Sequence, residues 1–190
     1  MIGFLTHTDT TLFLFLNSFH SPFWDTVMWH ISGRPEWIPL YLTVTGWIIY
    51  KFRWKSILII SFAILLIILS DQLSVKLFKE TFHRLRPCHN QQIRAVVHLV
   101  NNYCGGDYGF ISNHASNSFA LAAFTSIILR NRTYTILIFA WALLVSCSRI
   151  YLGVHYPGDI LGGALFGYLL AKLMVYLLFL TGRRFSVRLR

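Results

Sequence analysis

The stretch Ser56–Lys79, SILIISFAILLIILSDQLSVKLFK, decides the architecture. From Ser56 to Phe78 it is apolar enough, and at 1.5 Å per residue long enough, to cross about 30 Å of hydrocarbon. Asp71 and Gln72 interrupt it. Polar groups at that depth are costly against lipid, so both are expected to face other helices. The run closes on Lys79, placed to reach the headgroup level.

Outward from this run the pattern repeats. Trp37–Tyr50, Ala115–Leu129, Tyr134–Ser146 and Ile160–Leu180 are further apolar stretches, the first and fourth short enough to need flanking residues. The N-terminal piece Thr10–Ile31 is broken by Asn17, His20, Pro22 and Asp25. It reads either as a sixth span or as a bent, partly interfacial helical pair. Composition agrees: 55% of residues are hydrophobic and 13% charged, against about 25% charged in soluble domains. The expectation is an all-α, polytopic membrane bundle of five to six helices, one unit over residues 1–190, with residues 1–34 as an N-terminal helical segment.

Met1–Asp9 lacks a basic n-region, so no cleavable signal is expected. The net charge is +10. Its basic residues are split among short loops, which argues against nucleic acid as a partner. Lys51, Arg53 and Lys55, then Arg130 and Arg132, then Arg183, Arg184, Arg188 and Arg190 fall on one side if the spans alternate. The positive-inside rule makes that side cytoplasmic. The opposite face receives the loop 79–114 and the short segment 148–159. Its own cations, Lys79, Arg84, Arg86, Arg94 and Arg149, run against the rule, and phosphate binding would explain them.

Three blocks on that face carry chemistry. The first is Lys79, six residues, then Arg86 and Pro87. Each cation alone is also readable as an interfacial anchor. The second is Gly109–Asn117, GFISNHASN, standing at the start of a span. Free N–H groups of a helix start favour an anion. Ser112 suits a cap, and His114 either donates a proton or is a plain interfacial residue. The third is Ser148-Arg149, five residues, His155, three residues, Asp159. Asp159 can hold Nδ1–H of His155, leaving Nε2 as a nucleophile. Arg149 has the fork that fits a phosphoryl group. An Arg149–Asp159 ion pair is the bland alternative. Cys88 and Cys104 share the outer loop and can form a disulfide in an oxidising compartment or stay as two thiols. Cys147 lies within a span.

Together the blocks resemble the type-2 phosphatidic-acid phosphatase superfamily, which includes bacterial membrane lipid phosphatases and vanadium haloperoxidases. The family signature is Lys-x6-Arg-Pro, Pro-Ser-Gly-His and Ser-Arg-x5-His-x3-Asp. The first and third are matched in full. In the second, Ile111 and Asn113 replace Pro and Gly, while Ser112 and His114 are kept.

The resemblance implies that His155 attacks phosphorus, Asp159 orients it and His114 serves the leaving group. Lys79, Arg86, Ser112, Asn113 and Arg149 would bind phosphate. It implies a hydrolase of a lipid phosphate or diphosphate with no cofactor and no metal. By analogy with small bacterial enzymes the expected substrate is undecaprenyl diphosphate or a phospholipid phosphate. The expected setting is the bacterial inner membrane with the site facing outward. A lipid phosphotransferase, or a non-catalytic lipid-phosphate binder or transporter, is the alternative. Substrate lipid and bilayer are the expected partners, with no obligate protein partner.

Overall fold

The computed structural model describes residues Ile2–Arg184; Arg188 and Arg190 of the basic tail lie outside the described residues. The described chain is helical and contains no strand. The elements are α1 (Ile2–Asn17), α2 (Pro22–Ser32), α3 (Ile38–Phe52), α4 (Ser56–Leu73), the short α5 (Glu80–Phe82), α6 (Asn113–Leu129), α7 (Arg132–Tyr151) and α8 (Pro157–Arg184). Among the described residues three helical stretches are long and apolar enough to cross a membrane: Pro35–Phe82, Arg132–Tyr151 and Pro157–Gly182. The first holds both α3 and α4, folded back at Arg53–Lys55.

Helix α6 is 17 residues long, about 25 Å at the usual rise, and sits at the centre of the bundle against α4, α7 and α8. Its buried residues are mostly small: Ala115, Ser116, Ser118, Ala120, Ala122 and Ala123. The α8 side of that contact is smaller still. A Cβ on Gly167 would stand 2.1 Å from the Ser116 carbonyl oxygen, and one on Gly163 2.6 Å from that of Ser112. Small residues four apart let two helix backbones touch, which is how helices associate where lipid removes the hydrophobic driving force. Beneath this contact Ile59, Leu66, Phe124, Leu129, Ala171 and Leu178 form the main core.

The outer surface is apolar. Ile57, Ile64, Leu137, Leu161 and Leu165 are all more than half exposed, as expected where lipid is the solvent. Tyr50 and Trp54 project at the end that carries Lys51, a usual place for interfacial aromatics. That end also gathers the loop before α7, because Lys51 Nζ donates to the carbonyl of Leu129. The basic loops Lys51–Lys55 and Arg130–Arg132 therefore share one end of the bundle.

At the other end lie the long loop and the α7–α8 turn. Helices α1 and α2 form a bent pair laid over this end. Asn17 Nδ2 donates to the carbonyl of Tyr151 at 2.9 Å, and its Oδ1 accepts from the backbone of His98 at 2.8 Å. Asp25 accepts from the Tyr151 hydroxyl at 2.7 Å. Phe13 packs edge-on against Tyr156 at 5.3 Å.

Candidate active site

Each block is held by a distinct local device. Past α4 the helix widens into a π-helical turn, Ser74–Lys79, a form that is rare and often found at functional sites. It ends on Lys79, whose electrostatic neighbours are Arg86, Asp71, Asp159 and Arg149. The loop that follows is pinned across itself. Arg86 N donates to Asp107 O at 3.0 Å and Gly109 N to Arg84 O at 2.8 Å. Cys88 and Cys104 are joined by a disulfide with Cα atoms 6.0 Å apart. Arg86 is thereby fixed between two tethers.

In the second block Ser112 caps α6: its buried Oγ accepts from Ala115 N. Ser112 N donates to the carbonyl of Asp159 at 3.0 Å, tying this block to the third. Among the described residues no protein acceptor meets the N–H groups of Asn113 and His114, which form the open start of the helix. The Asn113 side chain points elsewhere, with Nδ2 donating to Asp71 Oδ1 at 2.9 Å. Any contribution of Asn113 to phosphate binding is therefore through its backbone.

The third block is a tight turn between α7 and α8. Gly153 adopts φ +79, and a Cβ there would lie 2.4 Å from His98 O, so only glycine fits. Val154 N and His155 N both donate to the Arg149 carbonyl, at 3.1 and 3.3 Å. Pro157 starts α8 and Asp159 lies in its first turn. His155 and Asp159 thus flank a helix start and do not share a helical face.

The centre is a histidine between an acid and an arginine. His155 Nδ1 lies 3.4 Å from Asp159 Oδ2. Its Nε2 lies 3.2 Å from Arg86 Nη1, which also donates to Val154 O at 3.3 Å. A guanidinium can only donate, so Nε2 presents its lone pair and Nδ1 carries the proton. His155 and Asp159 are 1% and 0% exposed, Arg149 5% and Arg86 8%. Burial, then Arg86, Arg149 and Lys79, hold the His155 imidazole well below its ordinary value. It is neutral at neutral pH.

Two buried guanidinium Nε atoms, those of Arg86 and Arg149, have no hydrogen-bond partner. Among the described residues neither arginine is ion-paired to a carboxylate; Arg149 Nη1 donates to Ser32 Oγ. Such leftover donors in a buried cluster are suited to an anion. His114 lies beside the same cations, Arg149, Arg34 and Arg86.

Arg84 departs from the sequence expectation. It does not face the cluster of Lys79, Arg86 and Arg149. Its Nη1 donates to Asp159 Oδ1 at 2.9 Å and its Nη2 to Asp9 Oδ2 at 2.6 Å. Its guanidinium also stands 4.1 Å from the centre of the Tyr156 ring. The partner of Asp159 is therefore Arg84, not Arg149. Arg94 lies exposed in the loop. Asp9 has no motif around it, and only folding of α1 over this end brings it to Arg84. Among the described residues the one grouping with metal-ligand spacing is Cys88, His89 and Cys104, whose sulfurs are bonded to each other.

A cavity of about 640 Å³ runs from His114 and Arg34 down between α3, α4, α6 and α7. Its walls include Trp37, Val44, Ile64 and Leu121. An apolar trough next to a polar cluster suits a ligand with a charged head and a hydrocarbon tail.

Comparison with known proteins gives the family. The sequence profile of the PAP2 superfamily matches residues 60–183, and the chain belongs to that superfamily. It is 42% identical over 169 residues to a lipid A 4'-phosphatase of Bacteroides thetaiotaomicron, covering 88% of this chain and 75% of that one. A lipid A 4'-phosphatase of Porphyromonas gingivalis is 38% identical over 181 residues, 95% of this chain and 76% of that one. Phosphatidylglycerophosphatase B of Bacillus subtilis is 28% identical over 151 residues, 74% and 67% of the two chains.

Two crystal structures share the fold. The transmembrane PAP2 type phosphatidylglycerolphosphate phosphatase from Bacillus subtilis matches with TM-score 0.68 and 21% identity, over 97% of this chain and 88% of that one. Aquifex aeolicus LpxE matches with TM-score 0.64 and 22% identity, over 88% and 94%. The protein is a membrane-embedded phosphatase that hydrolyses a lipid phosphate.

Proposed function

We propose that the chain hydrolyses its lipid phosphate through a phosphohistidine on His155, without a metal. One observation carries this reading. A neutral, buried histidine offers its Nε2 lone pair into a cluster of Lys79, Arg86 and Arg149, and two arginine Nε donors there are unused.

The Nε2 lone pair forms a bond to phosphorus while the bond from phosphorus to the leaving oxygen breaks. His114 gives that oxygen its proton. Asp159 takes the strengthened hydrogen bond from Nδ1–H as positive charge develops on the ring. Burial, then the cluster's cations, disfavour a charge on His114, and an arriving phosphate dianion offsets the cations' part. Water, deprotonated by His114, then attacks the phosphohistidine and releases phosphate and free His155. Lys79, Arg86, Arg149 and the open N–H groups of the α6 start stabilise the transferring oxygens.

The curated relatives with the higher identities are named lipid A 4'-phosphatases. They support a phosphate monoester on a lipid-linked sugar as the substrate, ahead of the undecaprenyl diphosphate or phospholipid phosphate expected from sequence. Their names favour this reading over a phosphotransferase or a silent binder. The basic loops at the far end support a site on the outer face of a bacterial inner membrane.

The test is phosphate release by the purified protein in detergent with excess EDTA. The panel is lipid A, undecaprenyl diphosphate, phosphatidylglycerol phosphate and phosphatidic acid. Release from lipid A above the others is expected. Activity that vanishes with EDTA and returns with a divalent ion would refute the metal-free route.

A further inference from the structure

Helix α1 lies outside residues 60–183, the part of the chain that the family profile matches. It nevertheless reaches the His155–Asp159 pair. Asp159 is fully buried and uses its two oxygens differently. Oδ1 accepts from Arg84 Nη1 at 2.9 Å. Oδ2 accepts from Tyr156 N at 3.0 Å and stands 3.4 Å from His155 Nδ1. A carboxylate can present either oxygen, so the occupant of Oδ1 leaves Oδ2 to the histidine. That occupant is held from α1. Asp9 Oδ2 accepts from Arg84 Nη2 at 2.6 Å, and Asp9 Oδ1 accepts from Gly158 N at 2.8 Å. Gly158 directly precedes Asp159, and a Cβ on it would stand 2.7 Å from Asp9 Oδ2. Both Asp9 oxygens are committed, one to the arginine and one to the start of α8.

The charges matter as much as the geometry. Lys79, Arg84 and Arg86, His114 on α6, Arg149 on α7 and Tyr156 in the turn all face His155 or Asp159. Asp9 adds a second carboxylate to that group. Arg84 bound to Asp159 alone would spend its whole charge on that carboxylate and make it a poorer acceptor. Asp9 shares the guanidinium, and its side chain is only 16% exposed, so water screens the pair little. We infer that Asp9 is a positioning residue for the hydrolysis. It holds Arg84 on Oδ1 and offsets its charge, so that Asp159 Oδ2 keeps its place and its acceptor strength as the His155 ring turns cationic on attack. Asp9 itself touches no reacting atom. This rests on His155 acting as the nucleophile, as proposed above.

The experiment measures kcat, KM and the pH dependence of kcat/KM in detergent with EDTA, on the panel lipid that the wild type cleaves fastest. The variants are Asp9→Asn, Asp9→Glu, Gly158→Ala and His155→Ala. Asp9→Asn keeps the size and an acceptor for Gly158 N but removes the charge. Its kcat should fall by about tenfold or more, since a small misplacement of a reacting group is costly. KM should change little, because Lys79, Arg86 and Arg149 are untouched. A negative charge lost near His155 disfavours its protonated form, so the acid limb should move to lower pH. Asp9→Glu restores the charge and should return the limb to its wild-type place. A merely structural residue would lower the folded fraction and leave the limb where it was. Gly158→Ala presses on the Asp9 carboxylate and should lower kcat in the same way, should Asp9→Asn fail to fold. With His155→Ala inactive, a wild-type kcat or an unmoved limb in Asp9→Asn overturns the inference while the phosphohistidine reading stands. Full activity in His155→Ala overturns both.

Discussion

Arg86 Nη1 stands 3.2 Å from His155 Nε2, so the arginine sets the tautomer of the histidine proposed as the nucleophile. An arginine cannot accept a hydrogen bond, so the Nε2 lone pair stays available and the ring proton stays on Nδ1, toward Asp159. In the proposed mechanism a phosphate arriving at Arg86 would draw the guanidinium onto its oxygens and free Nε2 at the same moment.

The role of His155 is tested by His155→Ala. Phosphate release should drop by at least about 10³-fold, because the covalent route disappears. Binding of inorganic phosphate should persist, since Lys79, Arg86 and Arg149 remain. Wild type incubated with substrate labelled in the phosphate and quenched in alkaline denaturant, where a phosphoramidate survives, should carry label on His155. Full activity in the alanine variant would sink the assignment.

The pH profile follows from the same site. Burial and the surrounding cations lower the His155 pKa well below 6.5. His155 attacks only when neutral, so kcat/KM falls as pH drops through this depressed value. The acid limb of kcat/KM should lie below the ordinary histidine range, and an alkaline limb, read in kcat with phosphate bound beside His114, should mark loss of the His114 proton. An acid limb at 6.5 or above would show that His155 is not so held.

Arg84 should behave as a structural residue. Arg84→Gln removes both ion pairs and leaves Asp159, fully buried, with less compensation. Breaking such a pair on one side costs about 3 kcal/mol, read as a lowered thermal midpoint in detergent. Arg86→Gln should instead weaken phosphate binding with a smaller loss of stability. A reversed pattern would return Arg84 to the phosphate site.

The loop tether and the helix contact give two further outcomes. Replacing both Cys88 and Cys104 by Ser opens a loop of sequence separation 16 and should cost about 3 kcal/mol. KM should rise, because Arg86 lies two residues away. Gly167→Ala forces a methyl to within 2.1 Å of Ser116 O and should separate α6 from α8, with loss of folded protein in detergent extracts. Unchanged midpoints in either variant would refute the corresponding constraint.

The helical membrane class was legible in the sequence because apolar runs of spanning length have few other stable solutions. The residues of the third motif were legible too, since Arg149, His155 and Asp159 are costly where they stand and share one chemical logic. Other partners were not. Asp9 meets Arg84 and Gly158 across 75 and 149 residues, and local sequence carries no signal for a contact made by folding α1 back over the site end. The same holds for Asn17, whose amide bonds Tyr151 O, and for Arg34, which flanks the cavity as an isolated cation in the chain.

Sequence by itself determined the family motifs, and it placed Arg86, Arg149, His155 and Asp159 at one end of the bundle. Residue type and spacing are local properties, so motifs and spanning runs can be read without the fold. Tertiary structure decided which arginines are free. Arg84 is consumed by Asp9 and Asp159, while Arg86 and Arg149 keep unpaired donors. It also decided that Asn113 turns to Asp71. The physical reason is that a charge is spent or spared by its neighbours in space, and those are set by the packing of distant helices.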